Sequence, residues 1–388
     1  MIKLSLPVKL MIAILGVALF GSFVPTFGVQ AFYTVSILFK DALSLLLPFM
    51  IFSFVYCGIR SFEENAPIIL GILLIAIFTS NFAGAFLSYA VARNILPGIL
   101  QGATVHHVAA ATHIEPLFRL PLSMPIQLSW ALLAAIGLGI AASFVDISRF
   151  DRRVHQVKSV IKTILTYVFI PLLPIYVVGF LLKMQHENAF GDLFNYYGKV
   201  MLLIVGLQGA YLLLLYALAK GFSMRKTGRA LKNAMPSYLA AFTSMSSMVA
   251  LPVSIQTAKR NVPNKPLVNM AMPILANIHL LGAAITLPLL AIATMIIFQG
   301  YMPGFVEYSL FTFYLCTTMF AVSGVPGAGI ITLIPLLISQ FGFSVEMVSI
   351  VTTLYLLLEA FGTAMNAMGD GALVIIVNKI LRRFGYAE

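Results

Sequence analysis

Apolar positions along this chain run in long stretches and do not alternate with polar ones. Such stretches exceed the roughly 4–8 residues of a buried strand. Several reach the roughly 20 residues a helix needs to cross a hydrocarbon core about 30 Å thick. Six of them lie near 8–28, 35–58, 66–95, 121–145, 159–183 and 198–219 and predict membrane-crossing helices. The first follows Lys3 and Lys9 and lacks an Ala-x-Ala cleavage site, so it reads as a helix and not as a signal peptide.

After residue 219 the pattern changes. Residues 233–258 are too few for two crossings, yet they are apolar at both ends around a polar centre of Thr243, Ser244, Ser246 and Ser247, followed by Pro252. That pattern predicts two short helical arms with a serine-rich tip, a re-entrant hairpin. Its tip must sit in protein or a water-filled cavity, because unpaired backbone groups in lipid cost several kcal/mol each. A full span over 266–298 follows. The next stretch, 308–342, is interrupted by Gly324-Val325-Pro326-Gly327-Ala328-Gly329. Pro326 cannot continue a helix, and the glycines let the backbone turn and approach a ligand. A last span over 347–378 ends at Lys379, Arg382 and Arg383. The second half thus reads hairpin, span, hairpin, span, the inverted-repeat pattern of secondary transporters, whose broken helices bracket a midplane site.

Composition agrees. Of 388 residues, 60% are hydrophobic and only 10% charged, against about 25% charged in soluble domains. That excludes an ordinary soluble enzyme and calls for a lipid bilayer as partner. The net charge of +11 gathers in short segments between apolar runs, the signature of cytoplasmic loops and not of nucleic-acid binding. The map places both termini in the cytoplasm of a multi-pass cell-membrane protein. It makes the first hairpin enter from inside and the second from outside. Cys57 and Cys316 lie in apolar runs and read as packing residues. His106, His107 and His113 read as solvated loop residues.

Three ionisable residues lie deep in the apolar segments of the second half: His279, Glu359 and Asp370. A charge at the membrane centre costs at least ~2.5–3.5 kcal/mol, so each is a functional candidate. Glu359, Thr363, Asn366 and Asp370 are spaced by four, three and four residues. At about 100° per residue they share one helix face, and Tyr355 borders it. Carboxylate and amide oxygens suit a hard cation such as sodium, and a carboxylate also suits a substrate ammonium. Hairpin-tip hydroxyls and helix N-termini suit a substrate carboxylate. Together these features fit a zwitterion with a coupling cation. Without a second histidine partner in these spans, a nucleotide loop or a soluble catalytic domain, an enzyme is not expected.

On these residues the chain resembles the dicarboxylate/amino acid:cation symporter family, the glutamate-transporter fold, over nearly its whole length. The matches are Ser246-Ser247 with Leu251-Pro252-Val253, Gly324 to Gly329, Thr363-Ala364-Met365-Asn366 with Gly369-Asp370, and Thr79-Ser80. The resemblance implies an all-α polytopic fold of eight transmembrane helices and two re-entrant hairpins, assembled as a homotrimer and working as an elevator. It implies scaffold helices within 1–64 and 99–190, and a moving transport domain built from 65–98 and 191–388. It implies a substrate site of Ser246, Ser247, Gly324, Val325, Pro326, Gly327, Glu359, Gly362, Thr363 and Asn366. The implied cation ligands come from Asp370, Asn366, Asn277, His279, Thr79 and Ser80. No organic cofactor is implied.

Two departures modify this picture. Where the family usually has Asn-Met-Asp-Gly-Thr, this chain has His279-Leu280-Leu281-Gly282-Ala283. Leu281 replaces a carboxylate, so one sodium site is expected to be lost. His279 replaces an asparagine and can carry a proton, which leaves sodium or a proton as the coupling ion. Gly362 stands where acidic-substrate members have an arginine, so no guanidinium pairs a side-chain carboxylate there. Glu359 stands where those members commonly have an aspartate. The expected substrate is therefore a small neutral amino acid. The alternatives are an acidic amino acid or C4-dicarboxylate symporter, and a channel-like or transport-dead relative.

Overall fold

The computed structural model describes residues 6–60, 67–101, 114–120, 128–141, 148–186, 190–320, 322 and 328–385. Among these residues the chain is helical. The helices are α1 (Leu6–Phe20), α2 (Thr26–Arg60), α3 (Pro67–Ile99), α4 (Leu128–Ala141), α5 (Ser148–Ile164), α6 (Ile170–His186) and α7 (Phe190–Ala219). They continue with α8 (Met224–Ser244), α9 (Ser247–Asn261), α10 (Lys265–Ile278), α11 (Leu281–Gln299), α12 (Phe305–Met319), α13 (Ala328–Phe341) and α14 (Val345–Arg383). Among the described residues, four stretches are long and apolar enough to span a membrane: Gly71–Ile99, Tyr196–Ala219, Lys265–Gln299 and Val345–Arg383. The chain is a polytopic membrane protein.

Several boundaries differ from the sequence reading. The first apolar stretch ends as α1 at Phe20, in a 3-10 turn over Gly21–Phe23, and α2 already starts at Thr26. Pro25 precedes that start, and His186 of α6 fixes the turn through a ring-nitrogen hydrogen bond to the Val24 carbonyl of 2.9 Å. The fifth predicted span is the end of a longer helix. Basic α5 runs through a π-helical turn at Leu165–Phe169 into α6. The span predicted over 266–298 is two helices, separated at His279 and Leu280.

Each of the two interrupted stretches, the predicted hairpins, is a pair of packed helices. In the first, α8 ends on Met245 in the left-handed region at φ 50°. Ser246 then caps α9, its hydroxyl accepting from the Val249 N–H at 3.4 Å. In the second, α12 and α13 pack together on either side of residues 320–327. Asn264 caps α10 by accepting from the Leu267 N–H at 2.9 Å. Ser344 caps α14, and Arg382 and Arg383 complement the dipole at its far end.

The helices pack in two groups. In one, α2 lies against α4, α5 and α6, with α1 against α6. In the other, α11 lies against α3, α7 and α14, and α8 and α9 lie on α14. The α10–α11 stretch is the most enclosed, 94% buried over its best spanning window against 39% for Gly71–Ile99. Polar bonds, buried or part-buried, join the groups. Tyr33 of α2 donates to Glu346 of α14 at 3.0 Å, and Lys183 of α6 reaches the same oxygen at 3.1 Å. Ser349 of α14 donates to the Tyr176 hydroxyl at 2.7 Å.

Small residues set the approach of helix backbones, as is usual in membranes. At Gly179 of α6, an added Cβ would collide with the Phe32 carbonyl and the Ser36 hydroxyl of α2. Gly179→Ala should therefore push α2 and α6 apart and cost about 1–3 kcal/mol, as overpacking does. A thermal unfolding series in detergent, with Gly198→Ala as control because nothing lies within 4 Å of its added Cβ, checks this.

Candidate functional site

The site forms where the broken α10–α11 stretch meets α14. A helix broken inside a bundle leaves its last carbonyls and first N–H groups without intrahelical partners. Here neighbouring helices supply them. The Gly282 N–H, at the start of α11, donates to Asn366 Oδ1 of α14 at 2.7 Å. The Ile278 carbonyl, at the end of α10, accepts from Asn81 Nδ2 of α3 at 3.3 Å. Gly282 must be glycine, because a Cβ would run into the Gly362 backbone. The break therefore brings α11 and α14 into backbone contact.

His279 sits in the break with 0% exposure. Its Nδ1 is 2.8 Å from Asp370 Oδ1 and its Nε2 is 3.0 Å from the Ser80 hydroxyl. One ring thus bridges α3, the break and α14. The second Asp370 oxygen is buried and has no hydrogen-bond partner among the described residues. Leu281 is fully buried, with its methyl groups against Gly84 and Gly369. Where the family resemblance calls for a carboxylate, the space is packed with hydrocarbon.

Above this cluster, toward the start of α14, lies a cavity of about 50 Å³. Its walls include Ser246 and Ser247 from the hairpin tip, Gly282 and Thr286 from α11, Gly329 from the second hairpin, and Tyr355, Glu359, Gly362, Thr363 and Asn366 from α14. No Lys or Arg is among the lining residues. Asn366 commits its Oδ1 to Gly282, so its NH2 group remains the end that can donate to a ligand. Glu359 is 9% exposed and brings the cavity its carboxylate. A Cβ on Gly329 would come within 2.8 Å of the Tyr355 hydroxyl, so the second hairpin approaches α14 closely there.

The first hairpin is seated on α14 by small residues and hydroxyls. Ala241, Ala250 and Ala367 form a buried cluster. Ser237 shares a hydrogen bond with Ser254 at 2.6 Å and donates to the Ala367 carbonyl at 3.2 Å. Phe242 packs edge-on against Phe361 with ring centroids 5.1 Å apart.

The structure thus brings together Ser246, Ser247, Glu359, Gly362, Thr363 and Asn366 around the cavity, and His279, Asp370 and Ser80 beneath it. It places Thr79 on the exposed side of α3. Asn277 lies on α10, its amide turned back to the Pro273 carbonyl at 2.8 Å. Gly324, Val325, Pro326 and Gly327 lie outside the described residues, as do His106, His107 and His113. Arg93 and Arg119 are exposed and are not among the residues that line the cavity. Sequence reasoning missed Gln208, Asn81 and Gly282. Gln208 of α7 donates to the Thr286 hydroxyl at 2.7 Å and holds that cavity wall. Its signal was available, as a lone amide in an otherwise apolar run.

The family model for the sodium:dicarboxylate symporter family matches residues 6–380. The chain belongs to that family. It is similar to the serine/threonine transporter SstT of Enterococcus faecalis, 24% identical over 392 residues, covering 95% of this chain and 90% of that one. It is similar to the protein of that name from Acinetobacter baumannii strain AYE, at 26% identity with 95% of both chains covered. The Lacticaseibacillus casei protein of that name is 22% identical, with 94% of this chain and 87% of that one covered. As a member of a symporter family, the chain is a membrane transporter and not an enzyme.

The His279–Asp370 bond can be tested by stability. Each single change leaves a buried polar partner unsatisfied, so His279→Ala and Asp370→Ala should each cost about 3 kcal/mol. The double variant should cost clearly less than their sum, because neither partner is then left alone. Denaturation of the four proteins in one detergent measures the coupling, and additive losses would refute it.

Proposed function

We propose that this protein carries a small neutral amino acid across the cell membrane together with a coupling cation, sodium or a proton. The observation that carries this reading is the cavity on α14: small, lined by hydroxyls, one amide and one carboxylate, with no basic side chain among the described residues that line it. A zwitterion's ammonium is matched by Glu359. Its carboxylate is matched by the Asn366 amide and the Ser246–Ser247 tip of the first hairpin. A second substrate carboxylate would meet Glu359 and no cation, which disfavours dicarboxylates. The names of the relatives, serine/threonine transporters, fit the same substrate class.

For the cation, Asp370 is the central acceptor, with Asn366 one turn before it and Ser80 and His279 beside it. The His279 ring stands where a family member would place an asparagine, and Leu281 fills the place of a carboxylate. Fewer sodium ions are therefore coupled here, and the imidazole bound to Asp370 offers a proton route in their place. The tip Gly324-Val325-Pro326-Gly327 and the side-chain oxygen of Asn277 keep the roles that the resemblance implies, while Thr79 faces the exposed side of α3 and does not. The division of packing into an α1, α2, α4–α6 group and an α3, α7–α14 group supports a scaffold and a transport domain. It fits an elevator cycle in a homotrimer, with the two hairpins entering from opposite leaflets and both termini cytoplasmic.

Uptake into proteoliposomes tests the reading. L-serine, L-threonine and L-alanine should accumulate above equilibrium when an inward sodium or proton gradient is imposed, and collapse of the gradient should release them. Mere equilibration would indicate a channel, and no uptake of any of them would refute the substrate class. Glu359→Gln should lower serine uptake by about 10- to 100-fold, the loss of a charge-assisted contact worth about 1.5–3 kcal/mol. Gly362→Arg has open space for its Cβ, with nothing nearer than 3.8 Å. It should lower serine uptake at least about tenfold and make L-aspartate a competitor, since an unpaired guanidinium in the cavity disfavours a neutral side chain.

A further inference from the structure

Away from the α14 cavity, at the base of the first hairpin, lies a second and larger one of about 450 Å³. Lys220 from the end of α7, Arg225, Lys226 and Arg229 from α8, and Arg260 from α9 converge on it. No acidic side chain is among the described residues that line it. The sequence gives a reason: between Asp192 and Glu307 there is no Asp or Glu at all. The positive-inside bias explains the sign of these charges. It does not explain why three elements aim five of them at one hollow.

The hollow is built, not incidental. Lys220 donates to the Asn261 carbonyl at 3.2 Å. The Asn261 amide reaches the Ala230 carbonyl at 3.0 Å, and its side-chain oxygen accepts from Asn233 at 2.9 Å. These bonds fix α7, α8 and α9 around the cavity. Burial, and then the neighbouring Lys379 and Lys226 ammoniums, hold the Lys220 ammonium below its ordinary lysine value. Like charges are crowded here without a counter-ion among the described lining residues, and an anion would relieve them.

The rim says which anion. Leu218, Phe222 and Met224 flank the cavity in sequence and are 47%, 64% and 90% exposed. Lys220 comes directly after the spanning stretch that ends at Ala219, so the cavity lies at the level of the headgroups, on the side that the basic-residue map assigns to the cytoplasm. Basic hollows at this level between helices take phosphorylated lipid headgroups. A free phosphate would use the cations alone, whereas a lipid would use the cations and the exposed apolar rim.

We propose that this hollow is a binding site for the phosphate headgroup of an anionic phospholipid of the cytoplasmic leaflet, with the acyl chains against Leu218, Phe222 and Met224. A lipid seated there ties α7 to both arms of the first hairpin, and so bears on the element that forms one wall of the α14 cavity. The inference does not depend on which solute the protein carries.

The test uses the full chain purified in a neutral detergent. Dioleoylphosphatidylglycerol, dioleoylphosphatidylcholine and inorganic phosphate are titrated separately, and thermal unfolding and lipids retained in native mass spectrometry are followed. Phosphatidylglycerol should raise the unfolding temperature and stay bound, while phosphatidylcholine should do neither. In Arg225→Gln/Arg229→Gln/Arg260→Gln the apparent affinity for phosphatidylglycerol should fall on the order of a hundredfold, at about fivefold for each charge removed. Equal effects of the two lipids, or an unchanged affinity in the triple variant, would overturn the proposal. Stabilisation by phosphate but not by phosphatidylglycerol would overturn the lipid occupant. Should the triple variant not fold, Met224→Ser and Arg229→Gln singly serve. Each should weaken phosphatidylglycerol binding, and if neither does, the site is refuted.

Discussion

The break between α10 and α11 is the feature on which the rest of the structure depends. In lipid a backbone N–H or carbonyl cannot be left to water, so an interrupted helix survives only if other helices satisfy it. Asn366 answers the Gly282 N–H, and Asn81 answers the Ile278 carbonyl. These two bonds draw α3 and α14 onto the break. With them come the side chains that frame the chemistry: Ser80 beside Asn81, and Glu359, Thr363 and Asp370 along the face of Asn366. Gly282 lets the backbones touch, and His279 closes the lower side by joining Ser80 to Asp370.

The parts of this arrangement that could be read from the sequence are those encoded locally. The α14 stripe is one helix with a regular period, so Glu359, Thr363, Asn366 and Asp370 could be placed on a common face, and the first three of them line the cavity. The tip of the first hairpin was legible because serines gather where an apolar run should continue. The turn after α1 was marked by Pro25 but is hidden within a hydrophobic stretch. The break at His279 was not legible as a break. It contains neither proline nor glycine, and its partners lie 84 residues away at Asn366 and 197 away at Asn81. Only the departure from the family motif marked that place as unusual. The bond of Glu346 to Tyr33 and Lys183 joins residues 313 and 163 positions apart, and no local pattern announces it.

Substitution at three positions accounts for much of how this chain differs from the acidic-substrate pattern it resembles. Gly362 brings no cation to the cavity, and Gly282, whose added Cβ would strike the Gly362 backbone, lets α11 lie against α14. Leu281 turns a polar corner between α3 and α14 into hydrocarbon over Gly84 and Gly369. His279 replaces an amide by a ring that donates and accepts at opposite ends, so a single residue can hold two helices.

The three acids of α14 separate by their surroundings. Glu346, at the start of the helix, is held by Lys183 and Tyr33 and fastens α14 to the α2–α6 group. Asp370, deep in the bundle, has one oxygen held by His279 and the other without a hydrogen-bond partner among the described residues. Glu359 lies between them and is the acid whose neighbourhood opens on the cavity. A carboxylate that lines a cavity can meet the positive charge of a ligand there, and an amino acid's ammonium is such a charge.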